Sequence, residues 1–205
     1  MAEDRILSSV KDQQLVSKRR NQIIKGAMRL FQEKGFHRTT TREIAKESGF
    51  SIGTLYEYIR TKEDVLFLVC ESIHDQVRDR IADSMEVENP SIENMRKAVR
   101  SFFYLMDDMQ DEILMLYQET KSLKKETRDF VLQQERAVVD IMIKLLSTCL
   151  ERDKKDKEMC LIANNIVVGG HMWGFRRWII QKQFTLEEYI DLQMQHLDQL
   201  TKKIT

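Results

Sequence analysis

Residues 40–62 gather short hydroxyls, cations and a glycine, a set suited to gripping a polyanion rather than to breaking a bond. Ser51 and Thr54 are short polar side chains able to meet base edges, and Arg42 can reach a base or the backbone. Gly53 leaves room for close approach of a backbone. Lys62 stands at the start of a helix beside free N–H groups, where a phosphate is readily clamped. Other chemistries lack their residues. There is no phosphate-binding Gly loop, no Gly-x-Ser-x-Gly elbow and no paired-His metal motif. The four histidines, His37, His74, His171 and His196, are scattered singly and read as structural. A metal sensor through His74 or His171 is the minority reading. Cys70, Cys149 and Cys160 are odd in number and contain no CxxC pair, which argues against a disulfide framework or zinc module and suits a reducing cytosol. Each reads as a small buried hydrophobe. The sequence predicts no enzyme, no cofactor and no metal.

Positioning those side chains requires helices. After a segment without clear periodicity (residues 1–17, expected as a flexible arm), Ile23, Ile24, Ala27, Met28, Leu30 and Phe31 follow helical spacing. Gly35 stops that helix where a left-handed residue is wanted. Thr40-Thr41-Arg42-Glu43 is a capping box opening a second, short helix, which Gly49 ends. Ser51 caps a third through Tyr58. Thr61-Lys62-Glu63-Asp64 opens a long fourth helix to about Ser84. Two short helices about a tight glycine turn satisfy the geometry of a helix-turn-helix, whose second helix enters a major groove.

The run Leu30-Phe31-x-x-x-Gly35-Phe36-x-x-Thr39-Thr40-Thr41-x-x-Ile44-Ala45-x-x-x-Gly49-Phe50-Ser51-x-Gly53-Thr54-Leu55-Tyr56-x-Tyr58-Ile59-x-x-Lys62-Glu63-Asp64 closely resembles the N-terminal signature of TetR-family repressors, over about residues 18–70. The resemblance implies that the third helix reads DNA. It implies that Tyr56 and Tyr58 are an aromatic pair meeting the backbone, that Lys62 contacts phosphate, and that the capping hydroxyl of Thr40 also faces phosphate. Ile59 stands where the family often has Phe, which implies altered packing only. Without the signature, a Tyr in a short helix is more often a packing residue. The signature reverses that for Tyr56 and Lys62, less so for Tyr58.

Behind this head, Pro90 suits the first turn of a fifth helix, and a sixth spans Ile113–Glu119. A seventh covers about Lys124–Leu150, an eighth Glu158–Ile180, and Thr185 caps a ninth. The expected fold is all-α with about nine helices: a three-helix helix-turn-helix domain (residues 18–64) joined by the long fourth helix to a ligand-binding and dimerisation domain (65–205). Phe102, Phe103, Met106, Tyr117, Met142, Trp173 and Phe175 are large, adaptable side chains. Such stripes are ordinarily core, but they also line pockets for elongated apolar ligands. Asn164, Asn165 and His171 need partners, whether a neighbouring helix, a ligand head group or a dimer mate.

Gly169–Trp178 with Thr185-Leu186-Glu187-Glu188 looks, loosely, like the acyl-CoA-responsive branch of the same family, which implies a small hydrophobic effector such as a fatty acyl-CoA. Family resemblance also implies a homodimer through the last two helices, with Gly170, Leu192, Leu197 and Leu200 at the interface.

Bulk composition agrees with these expectations. The 205 residues carry no net charge, but residues 1–65 hold 13 Lys and Arg against 9 Asp and Glu, leaving an acidic rear. A basic front on an acidic body fits a head that binds double-stranded operator DNA. No apolar run approaches the roughly 18–20 residues of a membrane span, so a cytoplasmic location without membrane partners is expected. Two alternatives stand beside a ligand-responsive repressor. One is a multidrug-type sensor of aromatic cations, which would prefer a pocket acid such as Glu119. The other is a helical protein-interaction module, which leaves the signature around Gly49 without a reason.

Overall fold

A computed structural model of the chain describes Ser8, residues 12–85 and residues 90–202. Among these residues there are ten α-helices, one short 3-10 turn and no strand. They divide into two compact units. One runs to Asp75 and takes in Met115–Leu132; the other comprises Gln76–Leu114 and the chain from Gln133 onward. The sequence reading ended the head at residue 64. The unit is larger because Val65, Leu66 and Val69 are fully buried, and the Phe67 ring meets Phe130 at 5.5 Å.

In the first unit, α1 spans Gln13–Lys34 and starts five residues before the expected Lys18, inside the segment read as an arm. The cause is Asp12, whose carboxylate accepts from the Leu15 amide at 3.1 Å. The rest of that arm lies outside the described residues, apart from Ser8, whose hydroxyl donates to the Glu57 carbonyl at 2.8 Å. Val16, Ile23, Ala27 and Phe31 form the inward face of α1. The helix ends at Gly35, with φ +78°. α2 (Thr41–Glu47) carries the full capping box. Glu43 N–H donates to the Thr40 hydroxyl, and the Glu43 carboxylate accepts from Thr40 N–H. Lys34 joins it at 2.5 Å. Hydrogen bonds from Lys34 and from Thr40 hold the Glu43 carboxyl down at about 2. Gly49, at φ +76°, makes the turn into α3 (Ile52–Tyr58), capped by Ser51. α4 spans Lys62–Met85.

In the second unit, α5 spans Ile92–Asp108 with Ser91 as its N-cap, so Pro90 precedes the helix instead of lying in its first turn; the Ser91 hydroxyl accepts from Asn94 N–H at 3.1 Å. The expected loop Glu86–Asn89 lies outside the described residues. α6 (Gln110–Glu119) and α7 (Lys125–Cys149) are shared between the units, the first unit taking Met115 to Glu119 of α6 and Lys125 to Leu132 of α7. α8 is Lys157–Phe175, capped by Asp156. The expected eighth helix breaks at Arg176, and α9 (Arg177–Ile180) is a separate single turn tied to Asp111 through Arg177 at 2.5 Å. α10 spans Leu186–Lys202. It is opened by a capping box between Thr185 and Glu188. α5 packs on α8 and α10, with Phe102, Met106, Ile162, Trp173 and Ile190 among the buried residues. Arg96 pairs with Asp198, and Arg100 with Glu187 and Asp191, along the α5–α10 seam.

Candidate functional site

The head presents a polar helix on an apolar mount. Leu55, Tyr58 and Ile59 are buried, while Ser51, Ile52, Gly53, Tyr56 and Glu57 face outward. Tyr56 is 49 % exposed, and its hydroxyl lies 3.3 Å from that of Thr41. The structure therefore brings hydroxyls of α2 and α3 together on one surface, and Thr41 joins the predicted set. Ser51 and Thr54 share a hydrogen bond at 2.9 Å, and Ser51 also caps the helix, so part of their capacity serves α3 itself. Thr40 is likewise engaged in its capping box, and Arg42 is exposed on α2.

Two predicted contacts have other surroundings. Tyr58 is turned inward, 4 % exposed, with its ring stacked on Phe50. Its carbonyl accepts from the buried Arg20 at 3.4 Å. It packs the head, on the same face of α3 as Leu55 three positions earlier. The Lys62 ammonium donates to the carbonyls of Phe36 and Thr39, both at 3.0 Å, and to that of His37 at 3.5 Å. It also sits 4.3 Å from the centre of the Phe36 ring. An ammonium has three N–H groups, so in this conformation all three hold the α1–α2 loop.

The predicted effector residues separate. Phe102, Phe103, Met106, Met142 and Trp173 are buried in the second unit, each no more than 5 % exposed. The Trp173 indole donates to Asp107 at 2.6 Å. Phe175 is half-buried, 5.7 Å from the His171 ring. Tyr117 is 65 % exposed and belongs to the first unit. A cleft of about 50 Å³ lies among α5, α8 and α10, lined by Phe103, Asn165, Gln193 and His196 among others. Pockets for whole small molecules are of the order of 300–1,000 Å³. Glu119, the candidate pocket acid, instead accepts from the Phe36 amide at 3.1 Å. Burial, with Glu119 nearby, pushes the Cys70 thiol up to about 12, consistent with an inert core thiol.

The predicted interface residues also divide. Gly170 faces its own chain, against Phe102 and Met106, and Leu197 is buried. Leu192 and Leu200 remain exposed on α10, at 42 % and 38 %. On α8, Leu161 and Val168 are also exposed, at 61 % and 60 %, apolar residues that no motif singles out. Their signal was the seven-residue spacing that puts them on one face.

Desolvation in its apolar surroundings holds the His171 imidazole down at about 4, against an ordinary 6.5. Between those values the unfolded chain binds the proton and the folded chain does not, so stability rises with pH there. The contribution is complete above about 6.5 and is lost as pH falls towards about 4. Glu43, with its carboxyl at about 2, loses its contribution only below the ordinary 4.5. The melting temperature of the wild type is therefore expected to fall from about pH 7 to about pH 5 more steeply than that of His171→Phe. Parallel melting curves would rule out a buried neutral imidazole.

A basic-fronted unit with a capped short helix beyond a glycine turn defines a helix-turn-helix DNA-binding regulator. The comparisons agree. Residues 23–69 match the model for bacterial regulatory proteins of the tetR family, and residues 88–179 match the tetracyclin repressor-like C-terminal domain. HTH-type transcriptional regulator HbdR of Aromatoleum sp. (strain CIB) is 30 % identical over 187 residues, covering 91 % of this chain and 82 % of that protein. The fatty acid metabolism regulator protein of Bacillus subtilis (strain 168) is 21 % identical over 163 residues, 79 % of this chain and 84 % of the relative. The solved structure of AibR in complex with isovaleryl coenzyme A and operator DNA superposes with a TM-score of 0.66 at 20 % identity, covering 84 % of this chain and 94 % of AibR. This chain belongs to the TetR family: it is a DNA-binding transcriptional regulator and not an enzyme. Among the described residues no helix is long and apolar enough to cross a membrane.

Proposed function

We propose that the chain acts in the cytoplasm as a homodimeric repressor, released from its operator by a small hydrophobic effector of the acyl-CoA class. The observation that carries the DNA half is the outward face of α3, with the Thr41 and Tyr56 hydroxyls 3.3 Å apart beside exposed Ser51 and Gly53. Two such helices, about 34–36 Å apart, would read a near-palindromic duplex. Thr40, Arg42 and Thr54 flank that surface. The dimer half rests on the apolar residues that α8 and α10 leave exposed, Leu161 and Val168 on the first and Leu192 and Leu200 on the second.

The effector class is supported by two similar proteins: AibR, solved with isovaleryl coenzyme A, and a relative named for fatty acid metabolism. An acyl chain entering among Phe102, Phe103, Met106 and Trp173 has to part side chains that are now packed together. Methionine and aromatic side chains repack more readily than branched ones, which makes this core a reasonable place for such opening. Binding then favours an arrangement of the recognition helices that the operator does not, and ligand and operator oppose each other by a coupling of about 1–3 kcal/mol.

A titration of the protein–operator complex with acyl-CoAs of increasing chain length tests this. Release of DNA, about 5–150-fold weaker binding, is expected with acyl-CoAs and not with free CoA. Release by aromatic cations alone would reassign the protein to the multidrug-type sensors. No response to either would remove the acyl-CoA class. Failure of the protein to bind any duplex would favour the protein-interaction reading.

A further inference from the structure

Glu119 occupies a position that helix electrostatics disfavours. It is the last residue of α6, where the macrodipole is negative and a carboxylate is unwelcome. Its carboxylate has a specific partner there: it accepts from Phe36 N–H at 3.1 Å. The Ser122 hydroxyl lies 3.4 Å from the same carboxylate and 3.1 Å from the His37 ring nitrogen. A Cβ on Gly35 would meet the carboxylate at an ordinary 3.4 Å, so it is the positive φ of +78° that favours glycine there. All these residues lie within the first unit. Phe36 is thus held from two sides, its N–H by Glu119 and its carbonyl by Lys62. The segment so held runs straight into Thr40, the N-cap of α2, and Thr41, which meets Tyr56 on the outward surface.

We propose that Glu119 is a positioning residue for DNA recognition, fixing the α1–α2 loop through the Phe36 amide so that α2 and α3 are ordered before DNA arrives. The proposal rests on the reading of this head as the DNA-contacting surface. It makes an unusual demand. Simple electrostatics says that removing a carboxylate from a head that meets phosphate tightens binding. Positioning says the reverse, because a freed loop must be ordered when DNA binds.

The test measures the Kd of purified variants for a duplex that the wild type selects from a random-sequence library, across a salt series. Glu119→Ala is expected to bind about ten-fold more weakly, with an unchanged salt slope, since Glu119 releases no counterion. Glu119→Gln keeps an oxygen acceptor for Phe36 N–H and is expected to bind as tightly as the wild type or more so. Glu119→Ala at or below the wild-type Kd overturns the proposal, as does equal weakening by both variants.

Amide exchange on the DNA-free wild type gives a second reading that survives a poorly folding variant. The Phe36 amide is expected to be protected at least about ten-fold over an unstructured amide, and more than in Glu119→Ala. Exchange at the unprotected rate in the wild type overturns the proposal. A wild type that selects no duplex sinks the DNA-contact reading itself, and the exchange result still decides whether Glu119 holds the loop.

Discussion

With subunits pairing through α8 as proposed, a chain carrying Leu161→Glu together with Val168→Glu is expected to sediment as a folded monomer and to bind its operator about 10²–10⁴-fold more weakly. The two side chains are 61 % and 60 % exposed, and seven residues apart they share one face of α8. Exposed substitutions of this kind change monomer stability by roughly ±0.5 kcal/mol, so the fold has no reason to fail. A two-fold interface behaves differently. Each substitution appears twice, and four carboxylates would be buried without partners. The loss of affinity follows because each recognition helix then binds alone, without the effective concentration that the tether to its mate supplies. Ile92→Glu is the control. Ile92 is also an exposed apolar residue, at 52 %, but it begins α5, where an acid suits the helix dipole. It is expected to leave both assembly and operator binding unchanged. Sedimentation and DNA titration of the three proteins settle the matter. A double variant that remains a dimer with wild-type affinity would mean that subunits pair through another surface.

What could be read from the chain alone follows the range of the interaction. Signals complete within four residues read true: the Thr40–Glu43 box, the Thr185 cap, and the glycines that end α1 and α2, Gly35 and Gly49. The start of α1 was missed because its apolar stripe begins late, while a single Asp12 carboxylate sets the boundary. Tyr58 shows the limit of a motif. Its residue type suits a phosphate contact, but burial depends on how α3 is mounted on Phe50 and Arg20, neither of which is periodic with it. The Met- and aromatic-rich residues were identifiable as one apolar set. Whether such a set closes into a core or lines a cavity depends on complementarity between helices, which spacing does not encode. Glu119 and Phe36 are 83 residues apart, and only the misplaced acid at a helix end hinted that a partner was waiting.

The second large effect sets two glycines against each other. Gly170→Val is expected to destabilise the chain by about 3 kcal/mol or more, the upper range for overpacking, and to lower its melting temperature by about 6–12 °C. A Cβ on Gly170 would stand 2.6 Å from Phe102 and 2.7 Å from Met106. Those side chains are 0 % and 1 % exposed, so neither has anywhere to retreat. The helix gains little in return, since valine is only modestly better than glycine in an α-helix and is crowded at χ1. At Gly53 the same reasoning reverses. A Cβ there would meet only the Ser51 hydroxyl, at an ordinary 3.7 Å, and the residue is exposed. Gly53→Ala should therefore keep or slightly raise the melting temperature, by up to about 1 kcal/mol of helix propensity. If α3 lies against DNA as proposed, however, the added methyl enters the space a duplex must occupy, and operator affinity should fall with the fold intact. Thermal melts and DNA titrations on both variants read the two roles separately. A stable Gly170→Val would mean that α8 can slide away from α5, and a Gly53→Ala that binds operator like the wild type would move the DNA contact off that face of α3.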